Sequence, residues 1–76
     1  MDANTIFHLI KNGLPDAEIS VEGEDGVHFS ATVISASFQG LSTLQQHRTV
    51  YATLGHRLGG EIHALQLTTG LPETHT

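Results

Sequence analysis

The side chains able to do chemistry in this chain are six histidines, eight carboxylates and scattered hydroxyls, with no cysteine among them. Without thiols, disulfides, thiolate zinc sites and a self-sufficient iron–sulfur cage are all excluded. The layouts of common catalysts are also missing. There is no Gly-x-Ser-x-Gly, no Walker loop, no Gly-x-Gly-x-x-Gly and no His-x-x-x-His pair for a helical zinc site. No spacing ties a hydroxyl to a base and an orienting acid. Adjacent acids occur only at Glu24-Asp25, which reads as a solvated turn. An enzyme is not expected.

The histidines are the informative residues that remain. His8 falls within a first helix, as a surface or boundary residue, and His75 lies in a polar tail. His56 follows a helix end, where a cation suits the dipole. His47 falls on the apolar stripe of the main helix and reads as a packed residue. His63 differs, because it stands at the start of a strand just past Gly59-Gly60. A side chain there can be both held and reachable.

Charge narrows the partners. Three basic residues, Lys11, Arg48 and Arg57, face eight acidic ones, for a formal charge of -5. Proteins that bind nucleic acid gain affinity by neutralising phosphates with clustered Lys and Arg, so this balance disfavours such a partner. Met1-Asp2 lacks the basic start of a secretory signal, and no apolar run approaches the roughly 18 residues of a membrane span. A cytoplasmic location and no membrane partner are expected.

The elements that must position these residues fit in one domain of 76 residues. A chain this size buries only about 60% of its unfolded surface, enough for one sheet with helices on a single face. Asn4 is a plausible N-cap for the first helix, whose apolar positions are Ile6, Phe7, Ile10 and Leu14. Gly13, as a left-handed cap, and Pro15 end it. Residues 17 to 22 alternate, with Ala17, Ile19 and Val21 on one side. After the turn Gly23-Glu24-Asp25-Gly26, residues 28 to 35 form a second strand with Phe29, Ala31 and Val33 inward, giving an antiparallel hairpin.

Ser42 caps the main helix, about Thr43 to Leu54, with Leu44, His47, Val50, Tyr51 and Leu54 marking the face toward the sheet. Gly55 ends it, and His56-Arg57-Leu58 forms a further short turn. Glu61 to Thr68 reads as the third strand, and the long helical connection before it suits a parallel crossover. Residues 69 to 76 are expected to fray as a tail. The expected class is α/β in the α+β sense: a three-stranded mixed sheet, helices on one face, in α-β-β-α-(α)-β order.

Several segments, taken in order, resemble the BolA family. They are Val27-His28-Phe29-Ser30-Ala31-Thr32-Val33-Ile34-Ser35, Phe38-Gln39-Gly40-Leu41-Ser42, Gln46-His47-Arg48-Thr49-Val50-Tyr51 and Glu61-Ile62-His63-Ala64-Leu65. The short acidic turn resembles that of the smaller bacterial branch. The resemblance implies a fold related to the class II KH domain and a non-enzymatic role. BolA-like proteins pair with monothiol glutaredoxins and share a glutathione-ligated [2Fe–2S] cluster, in iron–sulfur trafficking or iron sensing. The strand-three histidine, His63 here, is the implied cluster ligand. Many members draw a second His or Cys from the loop between strands one and two, and His28 is the nearest candidate. The chain is then a monomer alone and a heterodimer with its partner.

The resemblance also implies a partner surface formed by Arg48, Tyr51, Arg57, Gly59 and Gly60. Neutral imidazole would cap one side of the cluster and thiolates the other, lowering its negative charge. By strand parity, His63 shares a face with Leu65 and Leu67, whereas His28 opposes the face of Phe29 and Val33. The resemblance also implies a Trp-bearing C-terminal helix, where this sequence reads Gly70-Leu71-Pro72-Glu73-Thr74-His75-Thr76. A competing reading is a nucleic-acid-binding transcriptional regulator. It would use Gly40, Ser42 and Arg48, although Gly40-Leu41-Ser42-Thr43 keeps only the first glycine of a KH Gly-x-x-Gly loop. A third reading is an interaction module that carries no metal.

Overall fold

Alternating and helical apolar periods in this chain resolve into two layers. The computed structural model describes residues 2–57 and 64–72. Helix α1 spans Ala3–Gly13, strand β1 Glu18–Glu22 and strand β2 His28–Ile34. A 3-10 turn at Ala36–Phe38 leads to helix α2, Thr43–Leu54, and a second at Gly55–Arg57 follows it. Strand β3 is Ala64–Gly70. The sheet order is β1-β2-β3, with β1 antiparallel and β3 parallel to the central β2. This is the mixed three-stranded sheet with two helices that the patterning predicts.

The core lies between the helices and one face of the sheet. Phe29 and Val33 of β2 pack with Ile6 and Ile10 of α1, Val50 and Leu54 of α2, and Phe38, while Ile19, Val21, Leu65 and Leu67 border them. The period of two in the strands puts His28, Ser30 and Thr32 on the opposite, exposed face.

Four local features differ from the sequence reading. The N-cap of α1 is Asp2, not Asn4: Asp2 Oδ1 accepts hydrogen bonds from Thr5 N at 2.8 Å and Thr5 Oγ1 at 2.7 Å. A carboxylate is also the better match to the positive end of the helix dipole. Gly13 is the last helical residue and not a left-handed cap; Leu14 follows it at φ -131°. Its glycine is required by close approach, because a Cβ there would sit 2.5 Å from Thr53 Cγ2 on α2.

Leu44 does not face the sheet and is 59% exposed. At 3.6 residues per turn it lies about 120° around α2 from buried Val50. Finally, Thr69 and Gly70 belong to β3 and not to a tail. They pair with Val33 and Ile34, and Gly70 O accepts from Ser35 N at 3.1 Å. β2 runs to Ile34, so it supplies ladder partners past the point where the apolar pattern of the third strand fades. Glu61, Ile62 and His63 lie outside the described residues.

Ser35 is the buried polar residue of the core. Its Oγ donates to Asp16 Oδ2 at 2.7 Å and accepts from Ser37 N at 3.1 Å, tying the end of β2 to the segment between α1 and β1. The Ser35 hydroxyl holds the Asp16 carboxyl below its usual range, against an opposing effect of desolvation. A carboxyl depressed in the folded state adds stability above its unfolded value and loses it as pH falls. Ser35→Ala is expected to return the Asp16 carboxyl toward the ordinary range, measured by NMR titration of its carboxyl carbon. Acid unfolding of that variant should correspondingly lose part of its steepness.

The two leucines of α2 give a direct test of which face is buried. Leu54→Ala should cost about 2–5 kcal/mol, as for other core leucines. Leu44→Ala should stay within about 0.5 kcal/mol, as for surface positions. Urea denaturation of both variants, followed by circular dichroism, checks the contrast.

Candidate functional site

The turn between β1 and β2 is ordered by one side chain. Asp25 Oδ1 accepts from the backbone N–H of Val27 at 2.9 Å and of His28 at 2.8 Å. Gly26 between them adopts φ +74°, a conformation favoured by glycine. The second oxygen, Oδ2, lies 2.7 Å from His28 Nδ1. The Glu24-Asp25 pair is therefore not merely a solvated turn: Asp25 is wired into the chain, while Glu24 stays exposed. The ring hydrogen bond to His28, followed by the two backbone N–H groups, holds the Asp25 carboxyl far below the ordinary carboxylate range. The sign is that of Asp16: the interaction is intact above the ordinary value and is lost as pH falls.

His28 opens β2 on the exposed face of the sheet, with its side chain 72% exposed and that of Asp25 54% exposed. In the parallel ladder its Cα partner is Ala64, the residue that follows His63 in the chain. A groove of about 640 Å³ lies at this end of the sheet, lined by His28, Phe29, Ser30, Ala64, Leu65 and Gln66. His63 itself lies outside the described residues. Among the described residues, no three His, Cys, Asp or Glu side chains converge to hold a metal ion. The Asp25–His28 pair is the donor set they offer at this end of the sheet.

Of the residues expected to meet a partner, Arg48 is exposed on α2, and Tyr51 and Arg57 are half-buried. Tyr51 packs edge-on against His47, with ring centroids 6.1 Å apart, and both side chains are half-buried. Arg48, Tyr51 and the exposed Leu44 fall within about 60° of each other around α2, and so share one side of it. Gly59 and Gly60 lie outside the described residues. His8 is exposed on α1 beside Phe7.

The residues of the nucleic-acid alternative have other work. Gly40 turns the chain at φ +81° into α2. Ser42 Oγ accepts from Gln45 N at 3.1 Å while Gln45 Oε1 accepts from Ser42 N at 2.9 Å, a complete capping box. The serine hydroxyl is thus engaged within the fold, and Arg48 lies more than a turn away along the helix.

Asp25 was the residue of this site that sequence reasoning missed. The signal was present, because Asp followed by Gly, then by a strand, is the pattern of a side chain that bonds its own backbone two residues on.

The model of the BolA-like protein family matches residues 10–74. Human BolA-like protein 1 is 49% identical over 45 residues, which are 59% of this chain and 33% of the human protein. The chain therefore spans about a third of the length of that curated relative. The structure of a BolA homologue from Coxiella burnetii superposes with a TM-score of 0.83 at 40% identity, covering 95% of this chain and 92% of the other. The solution structure of the XC975 protein is 60% identical, with a TM-score of 0.64 over 95% of this chain and 90% of the other.

If Ser42 serves as a cap, its replacement has a defined cost. Ser42→Ala should lower stability by about 1 kcal/mol, and Ser42→Asp should restore most of it, because aspartate caps as well as serine. Thermal melts of the two variants against the wild type check this order.

Proposed function

The chain belongs to the BolA-like protein family, and on that premise we propose that it is a non-enzymatic adaptor that binds a monothiol glutaredoxin and shares a [2Fe–2S] cluster with it. The observation that carries this reading is the register of the parallel ladder. His28 pairs with Ala64, and His63 is one peptide bond from Ala64. Consecutive Cα atoms are about 3.8 Å apart and paired strands about 4.8 Å, so connectivity alone keeps the Cα atoms of His28 and His63 within about 9 Å. Two histidines whose Cα atoms connectivity keeps this close suit a metal centre that arrives on another molecule.

The donor chemistry supports sharing over sole ownership. Two histidines are too few for a cluster that needs four ligands, and the chain has no thiol to add. The remaining positions fall to thiolates, which the glutaredoxin and glutathione supply. Imidazole is a neutral donor, so it adds no negative charge to a cluster approaching a chain of formal charge -5. The histidine side of the cluster also raises its potential relative to all-thiolate ligation. His63 and His28 are the assigned ligands, with the side of α2 that carries Arg48 and Tyr51, together with Arg57, Gly59 and Gly60, meeting the partner. The role is cluster delivery or iron sensing in the cytoplasm.

Anaerobic mixing of the chain with a monothiol glutaredoxin, glutathione, iron and sulfide should change the visible absorption and circular dichroism of the glutaredoxin-bound cluster. His63→Ala should abolish that change. A variant spectrum identical to wild type would remove His63 from the ligand set, and no wild-type change would overturn the adaptor reading itself.

A further inference from the structure

The turn before β2 gives Asp25 two separate tasks, one for each carboxylate oxygen. Oδ1 is taken by two backbone N–H groups, at 2.9 and 2.8 Å. Those donors fix the rotation of the carboxylate, so Oδ2 has no choice but to face His28 Nδ1, 2.7 Å away. A carboxylate can only accept a hydrogen bond. The neutral imidazole must then carry its proton on Nδ1 and keep the lone pair on Nε2, at the far side of the ring. With the side chain 72% exposed, that lone pair points away from its carboxylate into accessible space beside the groove shared with Ala64 and Gln66.

We propose that Asp25 is the positioning residue of this site: it sets the tautomer and orientation of His28, so that Nε2 is the atom offered to an incoming electrophilic metal centre. The assignment rests on the cluster-sharing reading for what arrives, but the control of the ring is a property of the chain alone. The arrangement is a carboxylate–histidine–metal relay in which the carboxylate selects the ligating nitrogen and raises its basicity. It also explains why a histidine at the edge of a strand, with no packing on its open side, has a defined orientation. A free surface imidazole would divide between two tautomers and several rotamers.

One substitution inverts the prediction without removing the turn. In Asp25→Asn the side-chain oxygen still accepts from Val27 and His28, because those two donors need an acceptor. The amide NH2 is thereby forced toward His28 Nδ1, where it donates. The ring must respond by moving its proton to Nε2, which occupies the lone pair that would bind metal. An analogous exchange of aspartate for asparagine beside a functional histidine is known to trap the wrong tautomer with the geometry intact.

The test begins without metal. Long-range proton–nitrogen NMR of the uniformly 15N-labelled chain, at about pH 8 where an ordinary imidazole is neutral, should show His28 mainly as the Nδ1–H tautomer. Asp25→Asn should show mainly Nε2–H, with the amide shifts of β2 and β3 unchanged. A wild-type ring that is mainly Nε2–H, or a variant with the wild-type tautomer, overturns the proposal. Unchanged amides guard against a fold defect; if the variant does not fold, the wild-type tautomer alone decides.

A second arm uses the complex with glutaredoxin, glutathione and the [2Fe–2S] cluster, challenged with an iron chelator. Loss of an orienting carboxylate typically weakens metal binding 10- to 100-fold, and for this exposed pair Asp25→Asn should release the cluster about 10 times faster. Equal release despite a reversed tautomer would exclude Nε2 of His28 as the ligating atom. A wild-type chain with the expected tautomer that assembles no cluster would overturn the adaptor function while upholding Asp25's control of the ring.

Discussion

The parallel pairing of β2 with β3 is the constraint on which the rest of this molecule depends. Antiparallel neighbours such as β1 and β2 can be closed by a short turn, but parallel neighbours cannot. The chain leaving Ile34 must return to the other end of the sheet before Ala64 can pair with His28. That return is the segment that carries α2, and α2 covers the sheet with Val50 and Leu54. One ladder thus requires the crossover, supplies the lid of the core and sets which residues meet at the start of the two strands. Ser35 and Gly70 close the opposite end of the same ladder through a backbone hydrogen bond.

The two faces of the sheet divide the labour. On the helix side, Phe29 and Val33 are sealed by apolar neighbours, and the buried hydroxyl of Ser35 is satisfied by Asp16. This side supplies stability. On the open side, His28, Ser30, Ala64 and Gln66 stand in solvent, where no packing can fix a side chain. Order there has to come from hydrogen bonds, and Asp25 provides it by spending one oxygen on the backbone and the other on the ring. The same logic appears at Ser42, whose hydroxyl orders the start of α2 by accepting from Gln45 N.

Much of this is legible in the sequence. The period of two in Ala17–Glu22 and His28–Ile34 specified the hairpin and its inner face, because a one-residue slip would have put Phe29 and Val33 in water. Ser42, legible as an N-cap, marks the start of α2. What was not legible depended on approach between distant segments. Gly13 looked like a helix stop, yet its reason is Thr53, forty residues away in the chain. Leu44 matched a helical spacing of three to His47, but small angular errors accumulate along a stripe and carried it off the buried face. Thr69 and Gly70 looked like tail because nothing apolar follows them, and only their partners in β2 make them strand. In the candidate site, the family resemblance makes His28 a ligand candidate, whereas its dependence on Asp25 rests on which oxygen the backbone already claims.

The two ends of the β2–β3 ladder are held by different means. At the Ile34 end the backbone suffices: Ile34 pairs with Gly70, and Gly70 O accepts from Ser35 N at 3.1 Å. At the His28 end a side chain takes over, because the open face offers no packing and the turn into β2 passes through Gly26 at φ +74°. Asp25 Oδ1 holds that turn by accepting from Val27 N and His28 N at 2.9 and 2.8 Å. Asp25 then supplies on the His28 side the rigidity that the ladder supplies elsewhere.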